Sequence, residues 1–163
     1  MTQIFHSIML TEKECEQIRE ELDNCKNPLI FYHDDPDGLS SYLLLYRYMK
    51  EGHGVAVKST PHVTTKYLNK VEEYQPDKIF IVDLAIVDEE FAQKAGVPII
   101  WIDHHEPLDI PKTKYYNPRI RDPKANFPAA FLCYQVVQQD FWIAMTGIVG
   151  DWVYTDLHPE FAK

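Results

Sequence analysis

The chain has 163 residues, a length that suits one domain built on one core. Hydrophobic residues make up 45% and charged residues 25%, which excludes a disordered chain, and no apolar run approaches the roughly 18–20 residues of a membrane span. A formal net charge of −9 argues against a broad basic surface for long nucleic acid and suits a short or small phosphorylated substrate, although carboxylates gathered around cations also count as negative in that sum.

The first pattern along the chain is helical. Thr11 caps a helix from near Glu12, with Glu14 at the reciprocal capping-box position. Cys15, Ile18 and Leu22 form its apolar stripe, and Asn27-Pro28 closes it. Leu29 to Tyr32 reads as a buried strand. After the turn at Pro36 and Gly38, a helix is expected from about Leu39 to Lys50, with Leu43, Leu44 and Tyr46 to Tyr48 on its buried side. Val55 to Val57 and Ile79 to Val82 read as further strands. Asp88 caps a helix that runs through Ala95 and is closed by Gly96. Val97 to Ile102 is a fourth strand and Tyr115-Tyr116 a short fifth. Phe127 to Gln138 and Phe141 to Val149 read as two helices. Strands alternating with helices imply an α/β fold with a mostly parallel sheet and helices on both faces.

In such sheets ligands sit beyond the carboxyl ends of the strands. Three of the four main apolar strands end in chemistry-bearing residues: His33 to Asp37 after the first, Asp83 after the third, and Asp103-His104-His105 after the fourth. His33, Asp35 and Asp37 follow the i, i+2, i+4 spacing that shares one side of an extended segment, and Pro36 biases Asp35 toward that conformation. Asp83 and His104 then meet them from neighbouring strands. Carboxylates held so close repel one another, and divalent cations remove that cost. Oxygen-dominated ligation with some imidazole and no thiolate favours manganese or magnesium over structural zinc. A pair of such ions suits phosphoryl chemistry. A simpler reading makes Asp35-Pro36-Asp37-Gly38 only a turn, with Asp37 as an N-cap. Asp34 is expected to point away from the cluster.

These motifs resemble those of the DHH phosphoesterase family. His33-Asp34-Asp35-Pro36-Asp37-Gly38 followed by Ser40-Ser41 is similar to one family motif, and Asp83 after its apolar strand to the second. Asp103-His104-His105 is the family's own signature, and Gly147-Ile148-Val149-Gly150-Asp151 is similar to the fourth motif. The four stand in family order over about residues 28–155, and most resemble archaeal members related to RecJ-type exonucleases. The resemblance implies a two-manganese centre. His33 and Asp35 would hold the first ion, Asp37, His104 and Asp151 the second, with Asp83 between them. It further implies that His105 contacts substrate phosphate and that Asp103 supports it. The whole chain would be a single catalytic domain, with a helical lead-in over about residues 11–26 and no C-terminal substrate domain of the DHHA1 type. The tail from Asp156 to Lys163 reads as the start of a longer continuation. Trp152 stands where many members carry a small or hydroxyl residue.

Outside the motifs, Arg119 and Arg121 follow Asn117-Pro118 and have the chemistry to grip phosphate bidentately, as Lys58, His62 and Lys66 have in weaker form. Trp101 and Trp142 read as core residues. Three functions compete. The first is hydrolysis of phosphodiesters at single-stranded DNA or RNA ends, in oligonucleotides or in cyclic dinucleotides. The second is a small-molecule phosphatase or pyrophosphatase, against which the two-residue spacing from His33 to Asp35 speaks. The third is a non-catalytic scaffold in a replication or repair complex. Three cysteines without CxxC spacing, and no signal-peptide pattern at the N-terminus, point to the cytoplasm, with no membrane partner.

Overall fold

Thr11 opens the first helix as a capping box: its hydroxyl accepts from the Glu14 N–H at 3.2 Å and its own N–H donates to Glu14 Oε2 at 2.7 Å. The computed structural model describes residues 9–155 and 157–161. Helix α1 (Glu12–Asp23) buries Cys15, Ile18 and Leu22, the stripe expected from their spacing. It ends well short of Pro28. The reason is Asp77, whose carboxylate accepts from the Lys26 and Asn27 N–H groups and the Cys25 thiol at 2.8–3.0 Å and pulls that segment off the helix.

The main sheet has five strands in the order β2-β1-β4-β6-β7. They are β1 (Pro28–His33), β2 (His53–Val57), β4 (Lys78–Val82), β6 (Ile99–Ile102) and β7 (Thr113–Tyr116), and every pairing is parallel. Alternation sends the central strands' side chains to two cores. Ile30, Phe80, Val82, Ile100 and Ile102 pack against α1, α2 (Pro36–Met49), α5 (Ala129–Val137) and α6 (Phe141–Gly150). Leu29, Phe31, Ile79, Ile81, Ile99 and Trp101 face the other way, toward α3 (Leu68–Tyr74) and α4 (Glu89–Lys94). With both faces covered, the central strands are continuous apolar runs. Strands β3 (His62–Val63) and β5 (Ile86–Val87) form a separate two-stranded parallel ribbon. A short helix, α7 (His158–Phe161), lies in the tail, of which residues 156, 162 and 163 fall outside the description. No helix among the described residues is long and apolar enough to cross a membrane.

Several elements differ from the sequence expectation for identifiable reasons. Helix α2 begins at Pro36, not Leu39. Asp35 is its N-cap and accepts from the Gly38 N–H at 2.8 Å, while Pro36 takes the first-turn position where its missing N–H costs nothing. The register that follows buries Leu44 and Leu45 and leaves Tyr46 and Arg47 outside. Helix α5 begins at Ala129 rather than Phe127, since a residue before proline is driven from helical angles and Pro128 occupies the cap. Asp88 does not cap α4 with its side chain; its carboxylate meets His62 Nε2 at 2.5 Å instead. Trp101 is fully buried, but Trp142 is 61% exposed and is not a core residue.

Candidate metal centre

Strand register explains why distant motifs meet. Tyr32 pairs with Val82, Val82 with Ile102, and Ile102 with Tyr116. The next residues, His33, Asp83, Asp103 and Asn117, therefore leave the sheet in one row. Asp83 turns sharply there, with φ +55°. Aspartate tolerates this left-handed conformation better than most residues, at about 1 kcal/mol.

Helices supply the rest. Asp35 and Asp37 stand at the cap and first turn of α2, and Asp151 is the C-cap of α6. The extended i, i+2, i+4 geometry expected for His33, Asp35 and Asp37 thus ends at Asp35, and Asp37 joins the cluster from a helix. Two glycines permit this closeness. A Cβ on Gly38 would lie 2.3 Å from the His33 carbonyl oxygen. One on Gly147 would lie 2.5 Å from Ala130 Cβ and 3.2 Å from Asp37 Oδ1.

Asp83 occupies the middle. Its Oδ2 is 3.8 Å from His33 Nδ1, and its Oδ1 is 3.2 Å from His104 Nε2. His33 Nδ1 also meets Asp35 Oδ2 at 2.7 Å, and His104 Nε2 lies 3.7 Å from Asp37 Oδ2. Three groups arise whose donor atoms lie within 4.8 Å of one another: His33, Asp35 and Asp83; Asp37, His104 and Asp151; and Asp83, His104 and His105. Asp37 is held from behind by the first turn of α5, accepting from the Ala129 and Ala130 N–H groups at 2.7 and 2.8 Å.

Asp103 is fully buried and turns away from this cluster. It binds His105 twice, at Nδ1 (2.7 Å) and at the backbone N–H (3.0 Å), and accepts from the Tyr115 hydroxyl at 3.1 Å. Asn117 completes the brace, donating to the Tyr115 oxygen at 2.7 Å and to the His105 carbonyl at 2.9 Å. Neither Tyr115 nor Asn117 is identified as a functional residue by sequence reasoning. Asn117-Pro118 reads as a loop, and only the register beside Asp103 reveals its position.

The electrostatics fit a cation site. Burial, then the charge of Asp35, pushes the Asp83 carboxyl up to about 9. Burial and the Asp83 charge drive Asp37 well above the usual carboxylate range, and burial raises Asp151. Asp35 goes the other way: burial opposes ionisation there, but the Gly38 N–H and His33 outweigh it. Asp83 Oδ2 is buried without a hydrogen-bond partner, a costly state for a polar atom that a divalent cation would relieve. Oxygen and imidazole donors without thiolate suit manganese or magnesium.

A family model described as the DHH family, N-terminal domain, matches residues 27–154. The chain belongs to the DHH family. No curated protein matches it, but solved structures of the same fold do. RecJ from Thermus thermophilus, determined in complex with Mn2+, aligns with a TM-score of 0.67 at 20% identity, over 86% of this chain and 24% of that one. An exonuclease RecJ bound to manganese aligns at 0.56 and 18%, over 89% of this chain and 39% of that one. CDC45 from Entamoeba histolytica aligns at 0.57 and 13%, over 87% and 33%. This DHH chain thus spans less than half the length of these relatives.

The DHH signature divides its labour: Asp103 binds the brace, His104 faces Asp83 and Asp37, and His105 stands at the open side of the Asp83–His104 pair, with 36% of its side chain exposed. The two loop arginines have separate surroundings. Arg121 is engaged by Glu14 Oε1 and the Met9 carbonyl at 2.5 Å each, anchoring the loop to the start of α1. Arg119 lies 3.2 Å from Glu106, the neighbour of His105, and its Nε is buried without a partner. Asp34 is exposed and sits 3.7 Å from His33 Nε2.

Proposed function

We propose that this chain is the catalytic unit of a metal-dependent phosphoesterase that hydrolyses phosphodiester bonds with two manganese ions. The supporting observation is the position of Asp83, whose two oxygens face His33 on one side and His104 on the other. His33 and Asp35 would complete one ion's ligands, and Asp37, His104 and Asp151 the other's; magnesium fits the same donors. Bound ions would polarise the phosphate and lower the pKa of water.

The protein's own groups supply orientation and charge. Hydrogen bonding to Asp103 raises the His105 pKa, against the opposing effect of burial. With Nδ1 committed to Asp103, His105 presents Nε2–H to a phosphate oxygen and offsets its developing charge. Arg119 is the arginine assigned to an outer phosphate. Arg121, with its present partners, would have to exchange them first. The substrates are single-stranded DNA or RNA ends, short oligonucleotides or cyclic dinucleotides. The net charge of −9 favours the shorter of these. A DHHA1-type domain or a protein partner would supply the remaining substrate surface.

Titration calorimetry with manganese tests the centre. Wild type should bind about two ions per chain, and Asp83→Ala at most one. Asp83→Asn, nearly isosteric, separates loss of ligation from loss of fold. An absence of manganese binding by folded wild type would overturn the proposal and leave a non-catalytic scaffold.

A further inference from the structure

A second recess opens beside the metal centre, between α2 and α6. It has a volume of about 420 Å³, and its lining includes Leu39, Leu43, Trp142, Ile143, Ser40 and Thr146 together with Asp34 and Asp35. Leu39 is 45% exposed and Trp142 61%. An indole left so open on the first turn of a helix contributes little to the core. Nothing in the metal-ion chemistry uses it.

We infer that this groove is a nucleobase subsite, which takes a base of the substrate whose phosphate is held at the centre. The inference rests on the phosphoesterase reading for the position of that phosphate and adds the place on this chain where a base of the substrate is held.

Three observations select this occupant. The groove adjoins the centre, since Asp35 both lines it and belongs to the group with His33 and Asp83. Its walls are apolar and carry one aromatic plane, which suits a flat heterocycle; stacking on such a plane is tolerant of base identity. Two acidic residues, Asp34 and Asp35, are part of its lining. Exposed Asp34 repels a phosphate sliding into the groove but accepts a hydrogen bond from an exocyclic amino group, the contact that aspartate makes to cytosine N4. Ser40 and Thr146 add hydroxyls along the wall. The volume lies in the range of small-molecule pockets.

The three tryptophans provide the experiment. Trp101 is fully buried, with its indole N–H bonded to the Leu84 carbonyl at 2.9 Å. Trp152 is 95% exposed and does not line the groove. In 15N-labelled metal-free protein, adenosine should shift the Trp142 indole resonance and leave those of Trp101 and Trp152 in place. Ribose 5-phosphate, which lacks the base, should leave Trp142 unmoved. Trp142→Ala should weaken adenosine binding at least tenfold, and Trp142→Phe should restore part of it. Parallel shifts at Trp142 and Trp152 would mean unspecific stacking and overturn the inference, as would no shift at Trp142. A Trp142 shift that follows protein concentration without nucleoside would show a second copy on the groove and overturn it too. The assay needs no metal or turnover: its failure beside intact manganese binding refutes the subsite alone, and the reverse pattern refutes the centre alone.

Discussion

Asp35 performs two tasks at one position, and substitutions can separate them. It caps α2 through the Gly38 N–H and faces His33. Asparagine caps about as well as aspartate, whereas alanine costs about 1 kcal/mol. Asp35→Asn should therefore keep thermal stability and lose manganese affinity in calorimetry, while Asp35→Ala loses both. Asp103 gives a pH prediction. It raises the His105 pKa, so His105 is protonated in the folded chain at pH values where an unfolded histidine is neutral. Any contribution of the imidazolium is full at low pH and lost as pH rises through the folded value. Asp103→Asn should move that alkaline limb to lower pH, visible in the NMR titration of the His105 ring. The residues at strand ends are legible in the sequence because each motif follows an apolar run that is itself a strand signal. The brace of Tyr115 and Asn117 is not, because its meaning lies in pairing across β6 and β7.

Helices α2 and α6 approach each other at Gly147, beside the Asp37 carboxylate that the α5 amides hold. Gly147→Ala would set its Cβ against Ala130 Cβ and Ser40 Cβ, at 2.5 and 2.9 Å. Such overpacking costs roughly 1–3 kcal/mol. The thermal midpoint should fall, and manganese affinity should fall with it, because Asp37 Oδ1 lies 3.2 Å from the added atom. Elements with strong periodicity or a long apolar run, such as α1 and the three central strands, are legible to within a few residues. Others carry too little signal. The two-residue strands β3 and β5 are shorter than any periodic pattern can mark. Helix α3 (seven residues) buries none of its residues fully and has no sharp stripe. The start of α2 is hidden because Asp35-Pro36-Asp37-Gly38 serves equally as a turn or as a capped first turn.

For the molecule as a whole, the site is a source of instability that cations would reverse. The Asp83 carboxyl has a folded value of about 9 against an ordinary 3.8. Between those values the folded chain retains a proton that the unfolded chain releases, so folding stability falls as pH rises. Metal-free protein should melt at a lower temperature at pH 8 than at pH 5, and Asp83→Asn should flatten that slope. Manganese at about a hundredfold over its dissociation constant should raise the wild-type midpoint by roughly 5–10 °C. Differential scanning fluorimetry with and without the ion checks both effects. The global arrangement was open to sequence reasoning because a parallel sheet gathers its strand ends on one edge. The exposed Trp142 was not, since an aromatic residue in an apolar helix is ordinarily packed inside.

The order of the ligands along the chain has a consequence for synthesis. His33, Asp35 and Asp83 lie on or beside the adjacent strands β1 and β4, but the Asp83 N–H donates to the Ile102 carbonyl of β6 at 3.2 Å, so this triad takes shape only once β6 has been translated. Asp37 and His104 must wait for Asp151, and for the α5 amides that hold Asp37. On the proposed ligand set, one group of residues is therefore complete after β6 and the other only after α6 has emerged. Under the two-ion proposal, the ions would then be loaded in sequence as the chain is made.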